Sequence, residues 1–198
     1  GNTNLVDAIV KDGLFDVYNE YMMGMAAELC ASEMNITRED QDEFTIEAYK
    51  RAQQAAADGK FKDEIVPVII PQRRGDPIVV DTDEEPSRVK FEKVPRLRPA
   101  FKKDGTVTAA NASTDAAKAP EWFTTAPSDA LPKALGKANL ENKDIDAWEI
   151  NQAFSAVSIA NERILELDRS KVDVTGGAVS IGHPIGVSGT RIVISLLN

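Results

Sequence analysis

"DIDAWEINQAFSAVSIANERILELDRSKVDVTGGAVSIGHPIGVSGTRIVISLL", residues 144–197, changes periodicity four times, and the order of those changes decides the fold. "DIDAWEI" (144–150) has strand character and delivers Asn151 at its end. "AFSAVSIANERILEL" (153–167) spaces Phe154, Val157, Ala160, Ile164 and Leu167 for one buried helical face. "KVDVT" (171–175) is a second strand, a glycine-rich loop follows, and "GTRIVISLL" (189–197) begins another helix. Strand, helix, strand, loop, helix is α/β order. In such folds the bends leading from strand ends into helices gather around ligands. Asn151 stands in one such bend and His183 in the next, so the two are expected to converge on one oxygen.

His183 is the sole histidine, and it sits among Gly176, Gly177, Gly182, Gly186 and Gly189. Glycines in that number point to a chain bent close around something. Pro184 restricts His183 to an extended conformation. An imidazole with an ordinary pKa near ~6.5 can act as base, acid or hydrogen-bond donor at neutral pH. The alternative for each residue is structural: a packed histidine, and an asparagine that only caps a helix. "GGAVSIGHPIGVSG" (176–189) fits neither the dinucleotide nor the P-loop glycine pattern.

The 198 residues are 42% hydrophobic and 28% charged, enough to build a core in one or two domains. No apolar run approaches the ~20 residues that cross a bilayer, and the first residues show no basic region leading into an apolar stretch. Membrane partners are therefore not expected. A net charge of -9 disfavours general binding to nucleic acid. One cysteine, Cys30, excludes an internal disulfide framework, and with one histidine it argues against zinc.

Upstream, "NITREDQDEFTIEAYKRAQQAAADGKF" (35–61) predicts a helix capped by Asn35 or Thr37, burying Phe44, Ala48, Ala52 and Ala55 and ending at Gly59. "EIVPVIIP" (64–71) predicts a strand that Pro67 and Pro71 confine to a sheet edge. "TVTAANAST" (106–114) predicts a short strand entering a turn, and "APSDALPKAL" (126–135) a helix from Pro127 or Ser128. Between Arg88 and Lys103 seven cations meet one acid, Glu92. That is either a solvated face or a docking surface for a compact phosphorylated ligand.

"NQAFSAV" (151–157) followed by "VTGGAVSIGHPIGVSGTRI" (174–192) resembles the thiolases, and "IVKDGLFDVYNEYMMG" (9–24), "ITREDQDEF" (36–44) and "GTVTAANAST" (105–114) are similar to their acetyl-CoA acetyltransferase branch. The resemblance implies an α/β thiolase fold, two repeated halves stacked as five layers, with an inserted lid that binds coenzyme A. On that pattern residues 1–114 are the lid, 115–126 a junction after a segment this chain lacks, and 127–198 an incomplete C-terminal domain. The implied reaction is the reversible condensation of two acetyl-CoA to acetoacetyl-CoA and CoA. A cysteine is acylated, a second cysteine exchanges the α-proton, and donors hold the enolate oxygen. Neither cysteine matches Cys30, whose "LCASEM" only mimics the nucleophile sequence.

By the same matching His183 of "GHP" is the catalytic histidine, and Asn151 fixes the water that completes the oxyanion hole. Gln152 departs from the usual N-E-A-F. Arg88, Val89, Lys90 and Lys93 fall where relatives contact the CoA nucleotide. Ser113 lies on the pantetheine path, and Met23 and Phe154 line the acyl pocket. In the potassium-dependent mitochondrial type the ion is held at positions matching Tyr18, Ala109, Ala110, Ala112 and Val179. The resemblance also implies a homotetramer or dimer, and the mitochondrial matrix before the cytoplasm. A catalytically silent acyl-CoA or lipid carrier and a nucleotide-binding oxidoreductase stay open on the residues alone.

Overall fold

The computed structural model describes residues 5–111 and 120–197. Its frame is three packed helices: α1 (Gly24–Glu33), α2 (Arg38–Ala57) and α5 (Ser155–Leu165). Small residues let them approach closely. Cys30, Ala31, Ile36, Phe44, Ala48, Ala156, Ile159 and Ala160 form one buried cluster between them. A second cluster joins Ala26, Ala27, Val107, Phe123, Ala153, Phe154 and Val157, with Tyr21, Met23 and Phe101 against its edge. Trp148, Ile150 and Val172 make a third, covered by Leu131 and Leu135 of α4 (Ala126–Ala138).

α2 forms as its sequence predicts. Thr37 accepts the Asp40 N–H while the Asp40 carboxylate accepts the Thr37 N–H, a reciprocal capping box. Phe44, Ala48, Ala52 and Ala55 are all buried, and the chain leaves the helix through Gly59 at φ +71. α4 starts with Pro127 in its first turn and stops at Asn139 in the left-handed region. Asn161 ties it to α5: its Oδ1 accepts from the Ser128 N–H and hydroxyl, and its amide donates to the Thr124 and Val157 carbonyls.

The strands differ from expectation. "DIDAWEI" and "KVDVT" are not full strands but meet in a single parallel bridge, Trp148 with Val172. Lys171 O accepts the Trp148 N–H at 2.8 Å and Trp148 O accepts the Asp173 N–H at 2.8 Å. "TVTAANAST" likewise keeps only a bridge from Thr108 to Pro99. A strand is defined by its neighbours, and among the described residues each segment has one. Antiparallel pairs join β1 (Phe15–Asp16) to β2 (Tyr21–Met22) and β3 (Val68–Ile70) to β4 (Ile78–Val80). β3 is the edge element that its flanking prolines predict.

Two further corrections concern the C-terminal helices. Phe154 stands at the N-cap of α5 rather than inside it, and Ile164 is exposed rather than core. The glycine-rich loop holds one helical turn, α6 (Ala178–Ile181), before α7 (Ser188–Leu197) begins. A similar single turn, α3 (Glu85–Arg88), opens the basic segment.

Candidate active site

Asn151 leaves the Trp148–Ile150 segment in a tight bend, its carbonyl accepting the Ala153 N–H at 2.9 Å. It caps nothing, since the N-cap of α5 is Phe154. Its Oδ1 is buried without a hydrogen-bond partner among the described residues, and it lines a cavity of about 460 Å³ together with Phe123, Ile150, Val157 and Ile192. Leaving a buried amide oxygen unmade costs about 1–3 kcal/mol, so a donor from water or ligand is the natural complement.

His183 follows α6 through Gly182, whose φ of +89 only glycine adopts readily. His183 Nδ1 lies 2.5 Å from Ser188 Oγ, which is also 3.3 Å from the Pro184 carbonyl. The hydroxyl can donate to Nδ1, or accept from Nδ1–H while donating to Pro184. The first arrangement leaves a proton on Nε2 and the second a lone pair. Sequence reasoning missed Ser188, although its place in the first turn of the helix after "GHP" is a usable signal.

Three groups meet around the turn that leads to His183. Gln152 accepts the Val179 N–H from α6 at 3.3 Å. The segment Val10–Leu14 comes up against Ile185, because a Cβ at Gly13 would lie 3.4 Å from Ile185 Cδ1. α3 packs on both α2 and α6. The basic segment that it opens is pinned to α2: Gln53 donates to the Pro86 carbonyl at 2.7 Å, and Arg38 donates to the Val94 and Leu97 carbonyls. Lys90 and Lys93 are exposed and Val89 half-buried, while Arg88, also exposed, forms a surface ion pair with Glu84 at 2.6 Å.

Met23 and Phe154 share the second cluster, but Phe154 is fully buried with its ring edge-on to Phe101, 6.3 Å between centroids. Tyr18 is exposed on the β1–β2 turn, where Asp16 accepts its N–H. Ala109 is exposed, Ala110 half-buried and Val179 buried. No hydrogen bond joins these residues to one another among the described residues. Ala112 and Ser113 lie outside them, as do residues 115–119 of the expected junction at 115–126. His183 is not among the residues lining the cavity at Asn151.

Cys30 is wholly buried and burial pushes its thiol up, with a Thr124 hydrogen bond opposing. Glu28, two residues earlier in α1, is engaged elsewhere: it accepts the N–H groups of Thr106 and Val107.

Burial also dominates three acids that the sequence did not single out. Glu149 is pushed up to about 8 by burial and then by the Asp173 charge, and Asp173 itself is raised by burial. Glu162, with Oε1 buried and unpartnered, is pushed up to about 7 by burial against the Arg169 charge. A carboxyl raised on folding contributes full stability below its unfolded pKa and loses it as pH climbs through the folded value. For Glu162 that window runs from its ordinary 4.5 to about 7. Glu162→Gln is therefore expected to stabilise by roughly 1–3 kcal/mol above neutral pH and by little near pH ~4.5. Urea unfolding of the full-length protein at the two pH values checks it.

The family models for the thiolase N-terminal domain and the thiolase C-terminal domain match residues 1–119 and 105–198. An acetyl-CoA acetyltransferase of Yarrowia lipolytica is 47% identical over 229 residues, covering 100% of this chain and 57% of its own length. The bovine protein named acetyl-CoA acetyltransferase, mitochondrial, is 45% identical over 228 residues, covering 99% of this chain and 54% of its own length. A thiolase of Ascaris suum, solved in complex with coenzyme A, superposes with TM-score 0.90 at 39% identity over 100% of this chain and 58% of that one. The chain thus spans somewhat over half the length of the relatives it matches. With the two family models together matching residues 1–198 and a solved thiolase superposing on the whole of it, the chain belongs to the thiolase family and carries part of the thiolase fold.

Proposed function

We propose that the full-length protein is an acetyl-CoA C-acetyltransferase that condenses two acetyl-CoA to acetoacetyl-CoA and CoA, and cleaves acetoacetyl-CoA in reverse. The observation that carries this reading is Asn151 Oδ1: buried, unpartnered, released from capping and beside a cavity. A polar atom left so is suited to hold a water that faces a developing oxyanion. His183 supplies the other donor through Nε2, with Nδ1 set by Ser188. As the carbonyl of a bound thioester gains negative charge, both donors strengthen their bonds to it, which lowers the barrier rather than only tightening binding.

The reacting thiols are assigned to parts of the protein outside residues 1–198, since Cys30 is buried between helices. One thiolate takes the acetyl group and releases CoA. The second removes the α-proton of the next acetyl-CoA, whose carbanion then attacks the acyl-enzyme and frees the first thiolate. The nucleotide end of CoA belongs to Arg88, Val89, Lys90 and Lys93, supported by the packing of α3 against α6. Ser113 is assigned to the pantetheine and Met23 and Phe154 to the acyl group, the latter two supported by their common cluster.

A potassium ion at Tyr18, Ala109, Ala110, Ala112 and Val179 stays part of the proposal, because a donor set of carbonyls and a phenol suits a weakly hydrated monovalent cation. Activation by KCl over NaCl checks it, and with it goes the mitochondrial matrix as location. Assembly into a homotetramer or dimer is supported by the β3–β4 hairpin, all six of whose residues are exposed although all are Val or Ile. A two-stranded hairpin is marginal alone, and its open edge can pair with the same edge of a second copy. The test of the whole reading is acetyl-CoA incubation of the full-length protein: an acetyl adduct by mass spectrometry together with thiolysis of acetoacetyl-CoA supports it, and CoA binding without either makes the protein a carrier.

A further inference from the structure

Gln152 and Asp173 face each other in the interior, both 1% exposed. Gln152 Nε2 donates to Asp173 Oδ2 at 2.9 Å, while Gln152 Oε1 accepts the Val179 N–H at 3.3 Å. The other carboxylate oxygen of Asp173, Oδ1, accepts the Ile150 N–H at 2.9 Å. One amide and one carboxylate thereby bond the backbone just before Asn151 to the backbone of α6, which runs directly into Gly182 and His183. Gly177 fits under the pair, since a Cβ there would overlap the Gln152 amide.

The charges nearby explain why an amide stands at position 152. The Asp173 charge disfavours ionisation of Glu149, while the Arg191 charge favours the ionised form of both acids. Arg51 acts on Asp173 less than Arg191 does, and its guanidinium already donates to the Val172 and Arg169 carbonyls and pairs with Glu47. An ionised carboxylate in place of the Gln152 amide would set two acceptors together and add a negative charge to the same buried space, and taking up a proton to relieve this would replace a permanent N–H donor by one that is lost as pH rises.

We infer that Gln152 and Asp173 are a positioning pair that fixes the spacing between the Asn151 bend and the His183 loop. The pair needs one amide and one carboxylate, but either position can carry either group. In the exchanged pair Gln152→Glu/Asp173→Asn every bond survives. The amide now at position 173 accepts the Ile150 N–H through its oxygen and donates to the carboxylate now at position 152, whose other oxygen accepts the Val179 N–H. The inference rests on the thiolase reading above, in which these two loops act on one oxygen.

The test is thiolysis of acetoacetyl-CoA by full-length wild type, Gln152→Glu and the exchanged pair Gln152→Glu/Asp173→Asn. A misplacement of the order of an ångström between catalytic groups costs about 100-fold, so Gln152→Glu is expected to lose roughly 10- to 100-fold in kcat with KM within about 3-fold. The exchange is expected to return kcat to within about 3-fold of wild type. Should Gln152→Glu not fold, recovery of soluble, active protein by the exchange carries the same information. An inactive wild type overturns the enzyme reading. An active wild type whose Gln152→Glu variant matches it, or whose exchanged pair is as impaired as the single variant, overturns the positioning pair alone.

Discussion

Replacing His183 by alanine in the full-length protein is expected to lower kcat for acetoacetyl-CoA thiolysis by about 100- to 10,000-fold, the range seen when a positioned acid–base or oxyanion donor is removed. The size follows from a double role. In the proposed reaction Nε2 is the group offered to the thioester oxygen, its proton set when the Ser188 hydroxyl, 2.5 Å away, donates to Nδ1. Alanine removes both the donor and the proton carrier. The loop should survive the change, because its shape is held by α6, by Gly182 at φ +89 and by the Val187 and Ser188 N–H bonds to the Pro184 carbonyl. KM should therefore move far less than kcat, and the melting temperature little. Steady-state kinetics beside a thermal melt checks all three.

Gly176→Ala is expected to have the largest effect on stability. Gly176 sits at φ +80, and an added Cβ would stand 2.7 Å from the Ala48 carbonyl oxygen and 2.8 Å from the Ala52 Cβ. Neither neighbour can yield, since both belong to the buried face of α2. Left-handed backbone costs a non-glycine residue roughly 1–2 kcal/mol and overpacking another 1–3 kcal/mol. A domain of this size loses about 2–4 °C per kcal/mol, so the melting temperature should fall by roughly 5–15 °C. The same substitution at Gly186, which nothing approaches within 4 Å and whose φ is unremarkable, is the matched control.

The contrast between those two glycines shows how much of the site can be read in the sequence. Five glycines around one histidine signal close approach, but only Gly176 and Gly177 have a neighbour a Cβ would strike; Gly182, Gly186 and Gly189 face open space. Local patterns were legible wherever the cause is local. The Thr37 cap, the apolar face of α2 and the proline start of α4 each depend on residues a turn apart. The strands at 144–150 and 171–175 were not, because a ladder depends on what lies beside it, and each has one neighbour here. Ile164 failed for a related reason: helical spacing marks a face, and only packing decides which part of that face is covered.

The resemblance places Asn151 and His183; Gln152 and Asp173 join the segments that lead to them, while His183 does not line the cavity at Asn151. It could not foresee what links them. Gln152 reads as a departure from N-E-A-F, and Asp173 as one acid in a predicted strand. Their partnership spans 21 residues of sequence and appears only when the two bends are brought together. Cys30 shows the opposite hazard: a motif that copies a nucleophile but folds into the contact between α1 and its neighbours.

In the proposed reaction two side chains from adjacent bends serve a single oxygen, and a double-mutant cycle measures that directly. Groups acting as one unit are strongly non-additive. If His183→Ala and Asn151→Ala each remove the same oxyanion hole, the doubly substituted full-length enzyme should have a kcat within about 10-fold of the worse single variant. Losses that instead multiply, so that the logarithms of the two single effects simply add, would show the imidazole and the carboxamide working apart and would contradict the shared site.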